Sequence, residues 1–433
     1  DADYALFQKG ISYGFVGRNE KKIEDLNKFA TSYPKSQYAD DALFELGNTY
    51  VAESNTDKAL TTYDKLINGY KSSSYVSKAI MRQALIYYNA QKDDQALAKF
   101  KKVVAEFPNT PEAMEAVSTA RLIYVDSGRT DEYAVWVKTL DFVDVSDADL
   151  DNTAFEAAEK QYLQNNIKQS ISALSSYVAK FPNGISSLKA NFYLAQAYYA
   201  DGLENNAVPH YEFVIDKPRS EFTEQALARL SQIHLKNNDC TKATPVLKRL
   251  ETEAEFPQNV TFAQSNLMKC YYEQEDYANA VTYADKVLAN SKTEDRVKSD
   301  AQIIVARSAI KNNDEAKAKE AYAKLLTIAK GELAAEALYY DAYFKNKEGK
   351  YEASNAVVQK LSKDYSGYKY FGAKGLVVMA KNFYGLKDSY QATYILDSII
   401  KNFKDYPDVV QEAQQELDAI KAEESKRNSS VEN

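Results

Sequence analysis

The sequence predicts an all-α fold, a right-handed superhelical solenoid of about 11 antiparallel helix pairs followed by a capping helix at the C-terminal end. A small-residue position recurs eleven times, at intervals of 35 to 39 residues and most often of 37. Repeats of that length form stacked arrays rather than one globular core. No segment of useful length shows the strict apolar–polar alternation of a half-buried strand.

The small-residue position defines the eleven repeats. Its occupants are Gly10, Gly47, Ala84, Arg121, Ala158, Ala195, Ser231, Met268, Ala306, Asp341 and Ala380. An aromatic ring usually follows three residues later, as at Tyr50, and a second small residue follows twelve residues later, as at Ala59. Arg121 and Tyr133 in the fourth repeat, Gln161 in the fifth and Asp341 in the tenth depart from the pattern. These repeats are expected to pack irregularly or to mark boundaries within the array.

Each period has the pattern of two helices. Residues 76–89 place Ile80 and Ala84 on one helical face, a polar turn follows, and residues 96–107 show the same spacing again. Pro108 then ends the second helix, because proline cannot continue one. Two antiparallel helices joined by a short loop are the expected unit.

The order of small residue, ring, turn, alanine, aromatic residue and proline resembles the tetratricopeptide repeat (TPR). It is clearest over residues 42–63 and 190–211, and the resemblance covers essentially residues 3–404. It implies a non-catalytic scaffold that binds a peptide or a partner helix in a concave groove. The aromatic–proline endings, as at Phe107-Pro108, are similar to repeats of bacterial cell-envelope proteins, including the barrel-assembly lipoprotein and the periplasmic Tol-Pal coordinator. This similarity implies a periplasmic or outer-membrane-associated protein, with a cytoplasmic location as the alternative.

The pattern also predicts how the chain is divided. Repeats 1–4 occupy residues 1–141, an acidic link and bend residues 142–151, and repeats 5–11 residues 152–404. A capping helix is expected over residues 405–424 and a polar tail over residues 425–433.

Composition narrows the kinds of partner. The net charge of −8 disfavours a nucleic-acid ligand, which requires a basic face. No run of 18 apolar residues is present to span a membrane. Tyrosine is abundant, at 34 residues against 18 phenylalanines, and its apolar body with a polar tip suits an interaction surface.

The predicted binding surface is a second stripe on each first helix, at i, i+4 and i+7, distinct from the packing stripe. It contains Phe44/Asn48/Val51, Met81/Leu85/Tyr88, Ser118/Leu122/Val125, Phe155/Glu159/Tyr162, Phe192/Gln196/Tyr199, Ser265/Lys269/Tyr272 and Val377/Lys381/Tyr384. The candidate groove residues are Phe44, Asn48, Met81, Leu85, Tyr88, Phe155, Tyr162, Phe192, Gln196, Tyr199, Lys269, Tyr272, Lys381 and Tyr384. The alternative for any one ring is that it fills the space between neighbouring first helices.

Catalytic and metal-binding patterns are weak. The run Asp147-x-Asp149-x-Asp151 begins like a calcium loop, but Ala158 stands where a bidentate Glu is required. The two histidines, His210 and His234, lie in helix patterns without ligand spacing. The sequence therefore predicts no metal site, no cofactor and no enzymatic activity.

Cys240 and Cys270 fall at the start of a second helix and late in the next first helix. Those two ends meet at one edge of an antiparallel stack, so a disulfide is geometrically open. Two free thiols are nonetheless the expectation, because spacing alone does not establish a bridge. A bridge would favour an oxidising compartment.

Two alternatives to a protein-binding scaffold stay open. Exposed aromatic rings also stack on sugars, so a polysaccharide- or cell-wall-binding module is the main rival function. Self-association is the second, because the chain opens at Asp1 inside a repeat helix without a polar capping turn, leaving a helix face unpaired.

Overall fold

A computed structural model describes residues 1–431 of the chain, with side chains described through Lys426. These residues form twenty-three α-helices and contain no strand, which confirms the predicted all-α fold. The first helices of the repeats are α1 (Ala2–Phe15), α3 (Ala39–Ala52), α5 (Tyr75–Asn89), α7 (Pro111–Asp126), α9 (Asp147–Leu163), α11 (Ser187–Ala200), α13 (Thr223–Lys236), α15 (Pro257–Glu273), α17 (Asp295–Lys311), α19 (Gly331–Lys347) and α21 (Lys369–Gly385). The second helices are α2 (Asn19–Ser32), α4 (Thr56–Gly69), α6 (Asp93–Glu106), α8 (Thr130–Val137), α10 (Ile167–Lys180), α12 (Glu204–Ile215), α14 (Cys240–Glu253), α16 (Tyr277–Ala289), α18 (Glu315–Ile328), α20 (Tyr351–Asp364) and α22 (Ser389–Asn402), and α23 (Pro407–Val431) follows them.

Every first helix ends in the same turn. One residue with positive φ closes it in each of the eleven repeats: Gly17, Ser54, Gln91, Gly128, Asn165, Gly202, Asn238, Glu275, Asn313, Gly349 and Lys387. In the second repeat, the Ser54 N–H donates to the Val51 carbonyl and the Asn55 N–H donates to the Tyr50 carbonyl. This pair of bonds is a Schellman motif, which satisfies carbonyls left open at a helix end.

The small-residue position is where the two helices of a repeat approach each other. Gly47 faces Tyr63 of α4 so closely that a Cβ on the glycine would lie 2.4 Å from a ring carbon. Ala84, Ala195 and Ala380 are fully buried at the same position. The recurring small residue thus sets the distance at which a large ring from the second helix is accommodated.

The tenth repeat corrects the sequence pattern by one residue. In the other ten repeats the positive-φ residue comes seven residues after the small-residue position. Counting back seven residues from Gly349 gives Ala342 as the small residue of the tenth repeat. Ala342 is fully buried, whereas Asp341 is half-buried and pairs with Lys345. The position assigned to Asp341 was wrong, and this repeat keeps its small residue.

The fourth repeat is irregular, as predicted. Arg121 keeps the register but turns its side chain away from the core, donating from Nε to the Thr153 hydroxyl at 3.0 Å and pairing with Glu156 of α9. Tyr133 stands twelve residues later, where nine of the other ten repeats have a small residue, and its ring packs against Trp136. The second helix α8 has eight residues, against twelve to fourteen in the other second helices.

Two compact units divide the chain, Asp1–Lys217 with α1–α12 and Pro218–Asn433 with α13–α23. Within each unit a second helix packs on its own first helix and on the next one. First helices also contact one another directly, as α3 does with α5 and α19 with α21. Within each unit no two consecutive second helices of the described residues make comparable contact, so the first helices form the inner face of that unit.

The predicted acidic link, residues 142–151, lies inside the first unit. Residues 138–146 are irregular, and Asp147 begins α9 behind a capping box between Ser146 and Asp149. Asp151 is buried and accepts a hydrogen bond from the Ile185 N–H at 2.7 Å. Asp149 thus helps to cap α9, and Asp151 holds the loop between α10 and α11. A bend at the link stays a prediction.

The last helix extends beyond the predicted capping helix. Helix α23 runs from Pro407 to Val431, not to residue 424, so most of the predicted polar tail is helical. Val409, Ala413, Leu417 and Ile420 are buried against α21 and α22. Residues 432–433 of that tail lie outside the described part of the chain. None of the described helices combines the length and apolar character that a membrane span requires.

Candidate partner-binding surface

Four candidate groove residues stand first in their stripe and are buried, as is Val377 at the same place in the eleventh repeat. Phe44, Met81, Phe155 and Phe192 are between 3% and 8% exposed. The ring of Phe44 lies 4.9 Å from that of Tyr75, centroid to centroid, in a stacked arrangement. Phe44, Met81, Phe155 and Phe192 belong to the core. Their assignment to a binding surface was wrong, because neighbouring helices cover them.

Asn48 and Gln196, in the middle of the stripe, are half-buried and held by tyrosines from the second helices. The Tyr63 hydroxyl donates to Oδ1 of Asn48 at 2.8 Å, and the Tyr211 hydroxyl donates to Oε1 of Gln196 at 2.9 Å. Burial raises the pKa of Tyr63, which keeps its hydroxyl a donor. Each amide oxygen thus accepts a tyrosine hydroxyl, while the NH₂ group of each amide brings two further donors.

An apolar strip crosses three consecutive first helices of the first unit. We use "apolar strip" for Val51 on α3, Leu85 and Tyr88 on α5, and Leu122 on α7. Val51 is 38% exposed and Leu122 is 41% exposed, while Leu85 and Tyr88 are half-buried. Helix α5 contacts both α3 and α7, so the four side chains share one face.

Tyr162 and Tyr199 extend this face toward α9 and α11. The Tyr162 ring stacks on that of Tyr193 with centroids 4.1 Å apart. Lys189, which pairs with Glu159, lies 5.4 Å from the Tyr193 ring centroid. The sequence pattern contained no signal for Tyr193, because its position was not on the predicted stripe. Tyr199 is half-buried.

The candidates of the second unit are engaged in contacts between neighbouring helices. Lys269 pairs with Asp300 at 2.9 Å, and Lys381 pairs with Glu412 at 3.0 Å. Tyr272 is half-buried with its ring against Tyr277, and Tyr384 is half-buried against the core of α21–α23. These side chains join consecutive helices and are less available to a partner than the apolar strip.

The side chains that could bind a metal do not form a cluster in the described residues. Those residues contain no group of three His, Cys, Asp or Glu side chains placed to hold a metal ion. His210 shares a hydrogen bond with Asn191 at 2.8 Å, and burial lowers the pKa of its imidazole. His234 is buried at the position where other repeats place a ring.

The expectation of free thiols was wrong. Cys240, at the start of α14, and Cys270, late in α15, form a disulfide with their Cα atoms 5.2 Å apart. The bridge fixes a second helix to the first helix of the next repeat. Spacing in the sequence left this choice open, because it does not fix the Cβ directions that bonding needs.

Repeated antiparallel helix pairs packed on one another define a helical-repeat protein. Residues 41–73 and 78–110 match the family model described as Tetratricopeptide repeat. These two segments are therefore similar to tetratricopeptide repeats, a fold that generally mediates protein–protein interactions. No curated protein matches the sequence.

Solved structures show similar helical repeats. A tetratricopeptide repeat protein from Parabacteroides merdae is 15% identical with a TM-score of 0.30, covering 60% of this chain and 96% of that one. Yeast Tom70 is 12% identical with a TM-score of 0.32, covering 99% and 98%. The TPR domain of P58(IPK) is 12% identical with a TM-score of 0.26, covering 97% and 99%.

Proposed function

We propose that this protein is a non-catalytic scaffold that binds a peptide or partner helix on the inner face of its first unit. The apolar strip carries the proposal, because its four side chains on three consecutive first helices stay partly open to solvent. Fully burying a leucine side chain contributes about 1.5–3 kcal/mol, so covering this strip provides a driving force for association.

The strip favours an occupant with apolar anchors along one side. An amphipathic helix presents such anchors at i, i+3, i+4 and i+7, and docks them in a groove between helices. Asn48 lies one turn before Val51 on α3 with its oxygen held by Tyr63, so its NH₂ group is the donor we assign to a carbonyl of the bound segment. The same amide chemistry recurs at Gln196 on α11.

A phage-displayed library of random peptides tests this assignment directly. Peptides selected on the whole chain should share two or more spaced apolar residues and lose most of their affinity for Leu122→Glu. Val135→Glu is the matched control, since Val135 is 72% exposed on α8, a second helix away from the strip. Selected peptides that bind Leu122→Glu as well as the unchanged protein would place the site elsewhere.

We further propose that the scaffold works in a bacterial cell envelope, in the periplasm or at the outer membrane. The disulfide between Cys240 and Cys270 supports this, because such bridges persist in oxidising compartments and are rare in the cytosol. Osmotic-shock fractionation of source cells, followed with an antibody against the chain, should release the protein with periplasmic markers. Recovery inside intact spheroplasts would contradict an envelope location.

A further inference from the structure

A second recess lies in the second unit, away from the apolar strip. It is a cleft of about 420 Å³ between the loop joining α20 to α21, the start of α21 and the loop joining α22 to α23. Four aromatic side chains line it: Tyr365, Tyr368, Phe403 and Tyr406. Tyr368 is 38% exposed, and the rings of Tyr365 and Tyr368 lie 6.4 Å apart.

Polar side chains stand around these rings. Ser362, Ser366, Lys369, Asn402 and Asp405 all contribute to the lining. No side-chain hydrogen bond or ion pair among the described residues engages Asp405 or Lys369. Asn402 donates one N–H to the Ser398 hydroxyl at 3.2 Å, which leaves its amide oxygen as an acceptor. The cleft therefore offers donors and acceptors together, and its two charges cancel.

The surroundings of Gly372 show that the cleft is open space and not a packed contact between side chains. Gly372 lies on the first turn of α21 and lines the cleft, yet a Cβ built there would meet nothing within 4 Å. A glycine within a helix is less favourable than alanine by about 1 kcal/mol. At Gly47 and Gly375 a close neighbour accounts for the glycine, since Cβ atoms there would lie within about 3 Å of Tyr63 and Leu361. No such close contact explains why position 372 is a glycine.

We propose that this cleft binds a neutral carbohydrate, as one or two sugar rings of a glycan. Tyrosine rings present apolar faces for the C–H face of a sugar ring and retain a polar tip. Sugar hydroxyls both donate and accept, so they match Asp405 and the Asn402 oxygen as acceptors and Lys369 as a donor. Apolar walls with a few convergent polar groups characterise small-ligand sites.

The alternative occupant of an aromatic groove is a proline-rich peptide. Polyproline segments lack backbone N–H donors at each proline, so they present mainly carbonyl acceptors. The carboxylate of Asp405 only accepts hydrogen bonds, so it favours a ligand that carries donors, which sugar hydroxyls supply and prolines do not. The acceptors in this cleft therefore favour the carbohydrate.

Filling the cleft at Gly372 gives a test that preserves the fold. Gly372→Gln extends a side chain into the cleft from a half-buried helical turn where a Cβ meets nothing within 4 Å, so its thermal midpoint should equal or exceed that of the unchanged chain. The probe is an array of neutral hexose and N-acetylhexosamine oligosaccharides alongside sialylated ones, followed by titration calorimetry on the glycans bound. The unchanged chain should bind neutral glycans, Gly372→Gln should bind at least about tenfold more weakly, and Asp405→Asn should weaken binding severalfold.

Gly372→Ala is the size control, because its methyl group leaves most of the cleft open and should preserve binding. Leu122→Glu should bind glycans normally, so this proposal and the peptide-binding proposal fail separately. Glycan binding that Gly372→Gln leaves unchanged would overturn the assignment. Absence of glycan binding by the unchanged chain would overturn it too, as would binding of proline-rich peptides that Gly372→Gln abolishes.

Discussion

At the residue scale, the contact between Gly47 and Tyr63 shows what the recurring small residue does. Gly47→Ala should destabilise the protein, because the new methyl group would enter the Tyr63 ring, which is fully buried and has no room to withdraw. Overpacking of this kind costs about 1–3 kcal/mol, offset in part by the about 1 kcal/mol helix propensity that alanine gains over glycine. Chemical unfolding followed by circular dichroism measures the difference.

Gly69→Ala is the control, since a Cβ on Gly69 at the end of α4 meets nothing within 4 Å. It should leave the unfolding midpoint unchanged or raise it slightly. Equal stability of the two variants would show that the Tyr63 ring moves aside freely, and that the small-residue position is not sterically required in this repeat.

Single residues also show where prediction from sequence ends. Helical periodicity put Phe44 and Leu85 on the same predicted stripe, but it did not separate a buried ring from a half-buried leucine. Depth on a helix face depends on how closely the neighbouring helices approach, and Tyr75 of the next repeat covers Phe44. The 3.6-residue period shows which way a side chain points from its helix, whereas the burial of that side chain depends on the neighbouring helices.

At the element scale, the turn that ends each first helix is the most regular feature of the array. Glycine or asparagine stands at its positive-φ residue in seven of the eleven repeats, because these residues adopt that conformation with least strain. This signal was present in the sequence and would have placed the tenth repeat at Ala342. The cleft around Gly372 had no such signal, because it is assembled from two separate loops.

An ion pair between elements gives the second prediction. Glu336 of α19 is 4% exposed, and it accepts hydrogen bonds from Nε and Nη2 of Arg307 on α17 and from the hydroxyl of Tyr322 on α18. Arg307→Ala leaves this buried carboxylate with one partner, and we expect a loss of about 2–3 kcal/mol, below the usual cost because water reaches Arg307.

Lys324→Ala is the matched control in the same unit. Its ion pair with Glu320 lies within α18 and both side chains are well exposed, so its loss should cost under about 1 kcal/mol. Both variants are compared by urea unfolding at pH 7. Similar midpoints would mean that the buried carboxylate contributes no more than a surface pair.

At the scale of the whole molecule, paired carboxylates predict an acid-sensitive array. Hydrogen bonding from Ser36 lowers the pKa of Asp3 to about 2, and bonds from Lys319 and Lys350 lower that of Glu348 to about 2. A carboxylate whose pKa is lower in the folded state stabilises fully above its unfolded pKa, and this stability is lost as pH falls through the folded pKa. Thermal midpoints should therefore be nearly constant near neutral pH and fall between about pH 4.5 and 2. Asp3→Asn with Glu348→Gln should flatten that fall, and an unchanged profile would assign it to other groups.

Removing the disulfide tests whether each repeat in this array is stabilised mainly by its immediate neighbours. The disulfide closes a chain segment with a separation of 30 residues, for which loop-closure entropy predicts a contribution of about 3–4 kcal/mol. Since repeats are stabilised mainly by their neighbours, Cys240→Ala with Cys270→Ala should speed amide hydrogen exchange in α14 and α15 while leaving α1–α10 unchanged. Reductant should reproduce this on the unchanged chain and have no effect on the double variant. Uniform acceleration along the chain would instead show one cooperative unit, and two titratable thiols in the unreduced, denatured protein would show that the bridge is absent.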